Sequence, residues 1–137
     1  MSSPWLRALT CLLFVGCSNN ITGEWSVSSA ELSSDGTLTN VSGLLIVEGD
    51  GSVEFDLESG DPDGNEFLII DVEGVIVQTG EMEGTLDLTG SQEEYQNAIF
   101  IDLDLDCTFS ETDASCAGDW ASTGLDGRTF SAEFTAP

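Results

Sequence analysis

From residue 22 onward, apolar and polar residues alternate almost one for one. In "AIFIDLDLDCTF" (Ala98 to Phe109), Ile101, Leu103 and Leu105 alternate with Asp102, Asp104 and Asp106. Val53, Phe55 and Leu57 alternate in the same way with Glu54, Asp56 and Glu58. A period of two marks half-buried strands, and helical periodicity is scarce. The pattern predicts strands over Gly23–Leu32, Glu66–Gly80, Met82–Gly90, Ala98–Phe109, Ser115–Thr123 and Arg128–Ala136. Leu44–Glu58 reads as a hairpin turning at Glu48–Ser52, and Gly74 as a bend or bulge. Asp126-Gly127 reads as a tight hairpin turn, and Ser91–Asn97 as one helical turn or a polar loop. About eight evenly spaced strands with short turns predict an all-β fold. An antiparallel up-and-down β-barrel is the leading architecture, with a small β-sandwich as the alternative.

The first residues break this pattern. Arg7 and the amino terminus precede an apolar run, Ala8 to Val15, and Gly16 is small. That arrangement reads as a signal peptide over residues 1–16. The run falls well short of the roughly 20 apolar residues of a spanning helix. The stretch "LFVGCS" (Leu13 to Ser18) resembles the lipobox of bacterial lipoproteins, with Phe14 where Leu is usual. The resemblance implies that Cys17 receives diacylglycerol on its sulfur and becomes the first residue of the mature chain. It implies a membrane partner through that lipid, since stable attachment takes two or more acyl chains. Ser18, where an Asp would retain the protein at the inner membrane, implies the outer membrane of a Gram-negative cell. The alternative is a cut after Cys17 and a soluble secreted protein. The chain then divides into a signal (1–16), a short tether (17–21) and one β domain (22–137).

Charge sharpens the picture. The chain carries 26 acids, two bases and no His. Without residues 1–16, Arg128 alone stands against 26 acids, a formal charge of −25. Such a surface repels phosphate backbones, so nucleic acid is not a partner. Self-repulsion strains the compact state, and salt or divalent cations relieve that strain. A saline habitat would also fit. Cysteine usage agrees with export. Cys11 leaves with the signal and Cys17 sits at the processing site, leaving Cys107 and Cys116 as an even pair. In an oxidising compartment these two predict a disulfide pinning neighbouring strands.

The stretch "ITGEWSV" places Gly23 and Trp25 at the start of the first strand. This G-x-W resembles the signature of lipocalins and the wider calycins. The resemblance implies a barrel closed at one end by Trp25, with a late basic residue packed over the ring. Arg128 is the base available for that role, and a local pair with Asp119 or Asp126 is the alternative. An eight-stranded barrel either fills with side chains or holds one small molecule. The large Ile99, Ile101, Leu103 and Leu105 favour a filled interior.

Carboxylates are the remaining candidates. Asp102, Asp104 and Asp106 share one strand face. "GDPDGNE" offers Asp61, Asp63, Asn65 and Glu66 as possible weak Ca²⁺ ligands, without the spacing of an EF-hand. The alternative for both is a solvated wall and a polar turn. Without His or Lys, acid–base chemistry would fall to Asp or Glu, and no nucleophile or phosphate-loop motif is present. The expectation is a non-enzymatic envelope lipoprotein acting as a surface or periplasmic binding or structural module, with no cofactor required. The alternatives are a carrier of one small apolar ligand and a Ca²⁺-dependent adhesion or envelope protein.

Overall fold

An extended chain sends successive side chains to opposite faces, so alternating segments become strands with one buried face. The computed structural model describes residues 21–33, 36–60, 66–94, 97–122 and 125–137. Their strands are β1 (Gly23–Leu32), β2 (Gly36–Thr37), β3 (Ser42–Val47), β4 (Ser52–Gly60), β5 (Glu66–Gly80), β6 (Glu83–Glu94), β7 (Asn97–Phe109), β8 (Asp113–Ser122) and β9 (Leu125–Thr135). From β3 to β9 each strand pairs antiparallel with the next. β1 pairs with β3 on one side and β9 on the other, which closes the sheet. The two-residue β2 continues the β3 side of β1 at its far end. The result is an eight-stranded, closed, up-and-down barrel, as the alternation predicts.

Closure brings the two ends of the described chain to one rim. Ser26 near the start of β1 lies opposite Thr135 at the end of β9. This near rim also carries the 48–51, 81–82 and 110–112 connections. The far rim is where β4 ends and β5 begins, and where β8 ends and β9 begins. β2 and β3 are two pieces of one stave, separated by residues 38–41. There the Thr39 carbonyl accepts from Gly60 N and from Ser59 Oγ, so the break is tied to β4.

Three local readings change. Gly74 does not bulge: its strand runs in continuous register against β6 from Leu68 to Gln78. A Cβ at Gly74 would run into the Asp87 carbonyl oxygen, so the residue is small because a neighbouring backbone comes close. Of the segment Ser91–Asn97, the described residues are strand, since β6 continues to Glu94 and β7 starts at Asn97. Pairing of Glu93 with Ala98 satisfies backbone groups that a loop would leave to solvent. Asp126-Gly127 lies inside β9, since Ser122 already pairs with Leu125. A turn dipeptide yields here to the register of the flanking strands.

The lumen is filled with side chains. Leu45, Leu57, Ile70, Ile76, Leu88, Ile101 and Leu103 are all fully buried. Aromatic rings bridge opposite walls. Phe55 on β4 meets Phe130 and Phe134 on β9, with centroids 6.1 and 5.9 Å apart. Trp25 on β1 meets Phe109 on β7 at 5.1 Å. The disulfide joins Cys107 and Cys116, which lie directly opposite each other on β7 and β8 and face the interior. Their Cα atoms are 4.1 Å apart, the close approach of a pair between ladder hydrogen bonds.

Candidate functional site: an acidic outer wall

The alternation that fills the lumen sends carboxylates outward on every second position, and the strand register then decides which of them meet. Asp87 on β6 lies opposite Asp104 on β7, and Asp104 opposite Asp119 on β8. On the neighbouring strands Glu54 lies opposite Glu73, and Asp56 opposite Asp71. Like charges in directly opposed positions destabilise a sheet. Close strand approach tightens the arrangement. A Cβ at Gly118 would run into the Asp104 carbonyl oxygen, as one at Gly74 would into that of Asp87. Glycines thus flank the β6–β7 pair on both sides.

The centre of this wall is a group of three. One carboxylate oxygen each from Asp87, Asp102 and Asp104 lies within 4.8 Å of the others. Asp102 is half-buried, and its Oδ1 is shielded from solvent with no hydrogen-bond partner. The Asp104 carboxyl is pushed above its ordinary value, first by desolvation on the crowded wall and then by the charges of Asp102, Asp87 and Asp119. Oxygen-only donors with excess negative charge suit hard cations such as Ca²⁺.

Asp102, Asp104 and Asp106 share the outer face, as their alternation with Leu103 and Leu105 requires. Asp87 escaped the sequence reading. It sits in "DLTG", one Asp among many, and only the β6–β7 register sets it against Asp104. Asp61, Asp63 and Asn65 lie outside the described residues; Glu66 opens β5, and its side chain also lies outside the description. Cys17 lies outside the described residues as well.

Comparison with known proteins gave no match to a family model, a curated protein or a solved structure.

Gly23 and Trp25 stand at the near rim, at the start of β1. The Trp25 ring is buried, and its Nε1 donates to the Ile21 carbonyl at 3.1 Å. The partner of that ring is different from the one the resemblance implies. Arg128 pairs in register with Trp120 near the far rim, so Phe109, and not Arg128, packs on Trp25. The reason is topological. In an up-and-down barrel the last strand runs antiparallel to the first, so a base that opens β9 lies far from a Trp that opens β1. Asp119, one candidate for a local pair with Arg128, lies opposite Thr129. The side chain of Asp126, the other, lies outside the description.

Proposed function

We propose that the protein is a lipid-anchored, non-enzymatic module of a bacterial cell envelope, serving a binding or structural role on the outer-membrane surface or in the periplasm. The observation that carries this reading is the sequence "LFVGCSNN" placed just ahead of the barrel. Only Ser18, Asn19 and Asn20 separate Cys17 from Ile21, the first described residue, which is buried against the barrel. Three extended residues reach about 10 Å, so an acylated Cys17 would hold the near rim at the lipid surface. The filled lumen supports a solid module over a carrier, because Phe55, Phe130 and Phe134 occupy the space an apolar ligand would take. Mass spectrometry of the mature amino terminus tests the anchor. The expected result is Cys17 carrying acyl chains; an unmodified chain beginning at Ser18 refutes the lipoprotein reading and leaves simple secretion.

A second reading, a Ca²⁺-dependent envelope protein, is favoured by Asp102 Oδ1, shielded and unpartnered beside the carboxylates of Asp87 and Asp104. The expected result is a thermal midpoint that rises more with CaCl₂ than with NaCl of equal ionic strength, with the excess lost in Asp102→Asn. Equal shifts would leave only charge screening.

A further inference from the structure

Four polar side chains are buried among the described residues, and three of them, Ser59, Gln92 and Ser122, lie near the far ends of their strands. Trp120 belongs to the same end of the lumen, two residues before the end of β8. It is 1% exposed, yet its Nε1 has no hydrogen-bond partner. An indole N–H can only donate, and a buried donor without an acceptor is costly. Trp25 at the near rim shows the usual remedy, since its Nε1 donates to the Ile21 carbonyl.

Arg128 lies directly opposite Trp120 on β9, so the two side chains leave the sheet on one face. That face is the lumen, because Phe130, two residues further along β9, is buried and its ring lies 5.6 Å from that of Trp120. Arg128 is half-buried, so solvent reaches this end of the barrel. It is also the only base of the chain beyond residue 16. Asp119 and Thr129, the neighbours of this pair along the two strands, oppose each other on the outer face. Among the described residues no carboxylate is buried.

We infer that the far mouth of the barrel binds a small carboxylate, held by the Arg128 guanidinium and the Trp120 indole N–H. Both groups are donors with no acceptor of their own, so their common partner is an acceptor. The guanidinium charge selects an anion over water, and its forked donors match the two oxygens of a carboxylate. Phe130, backed by Phe55, closes the site from below, so it takes the anionic group and leaves no room for a long apolar tail. The inference is independent of the lipid anchor and of the Asp87, Asp102 and Asp104 group.

Titration of the ¹⁵N-labelled full chain with sodium acetate, followed by NMR at the indole N–H signals, tests it. The formal charge of −24 opposes an incoming anion, so sodium acetate replaces NaCl at a constant ionic strength of about 0.15 M, where the Debye length is about 8 Å. The expected result is a saturable shift of the Trp120 signal, while that of Trp25 stays in place. Arg128→Gln should weaken the affinity about tenfold or more, because it removes the charge-assisted contact. An unchanged Trp25 signal reports that this variant is folded. Trp120→Phe keeps a ring and removes the donor, and should weaken the acetate-induced shift of the Arg128 Nε–H signal. A Trp120 signal that does not move, including the case in which a carboxylate of the chain itself already holds the site, would overturn the inference. So would wild-type affinity in a folded Arg128→Gln chain.

Discussion

Across β4 to β7, outward carboxylates stand opposite other carboxylates at three positions, alongside hydroxyl pairs such as Glu73 with Thr89 and Asp106 with Thr85; across β8, β9 and β1, they face hydroxyls. In the first sector Glu54 opposes Glu73, Asp56 opposes Asp71, and Asp87 opposes Asp104. In the second, Ser115 lies opposite Glu133 and donates to its Oε1 at 3.2 Å. Ser131 likewise opposes Glu31, and Thr129 opposes Asp119. The two sectors share one barrel and one acidic composition. They differ in where the charge is balanced. The hydroxyl sector supplies donors from its own neighbouring strands. The carboxylate sector must draw cations from solution or tolerate the repulsion. Net charge alone therefore does not describe this surface, because the register concentrates directly opposed carboxylates on one side of the barrel.

The strongest way to break the comparison is to uncouple the sectors inside the lumen. Phe55 belongs to the carboxylate sector and reaches Phe130 and Phe134 in the hydroxyl sector. Phe55→Ala should lower stability by about 3–5 kcal/mol in urea melts, as loss of a buried aromatic does. A loss under 1 kcal/mol would mean the two walls do not depend on this contact. The disulfide joins the same sectors at their border, β7 to β8. Reduction should cost about 2–3 kcal/mol, read as the difference between urea midpoints with and without reductant.

A smaller effect separates the sectors directly. Asp104→Asn removes a charge opposed on both sides by Asp87 and Asp119. It should raise stability at low salt by about 0.5–1 kcal/mol, and the gain should fade near 1 M NaCl. Glu133→Gln, in the hydroxyl sector, should show no comparable salt-dependent gain. Matching responses in the two variants would erase the distinction.

The smallest effect is in pH. The Asp104 carboxyl sits above its ordinary value in the fold, so the folded chain holds this proton more tightly than the unfolded chain. Its contribution to stability therefore rises as pH falls through the folded pKa, and levels off below the unfolded one. The advantage of Asp104→Asn over wild type should then shrink between pH 7 and about 4. Asp50 works in the opposite sense. The Ser52 backbone N–H donates to its Oδ1 at 2.9 Å and lowers its pKa, so its contribution is lost as pH falls through the folded value. Measuring both proteins across the same pH range cancels the Asp50 contribution. An advantage that stays constant with pH would show that Asp104 does not titrate in this window.

The barrel was legible in the sequence because burial on one face imposes a period of two, and Val53, Phe55 and Leu57 or Ile101, Leu103 and Leu105 display it without interruption. The pairing of Cys107 with Cys116 was legible on other grounds: they are the even pair left after the signal and processing site, and only eight residues separate them. What alternation does not carry is register between strands. It places Asp104 outward, yet it cannot say that Asp87 and Asp119 stand on either side of it. It also cannot say that Trp25 meets Phe109 across the lumen, or that Arg128 belongs with Trp120. Gly74 misled for a related reason. Within one strand a glycine suggests a bulge, and its actual role concerns the backbone of the next strand.

The seam between β1 and β9 has a mechanical consequence. Both loose ends of the described chain leave at the near rim, beside Ser26 and Thr135. Force applied to the two ends would load this seam in peeling rather than shear. Its hydrogen bonds would then yield one pair at a time, starting at the near rim. The seam that completes the barrel is thus also where a pull on both termini would open it first.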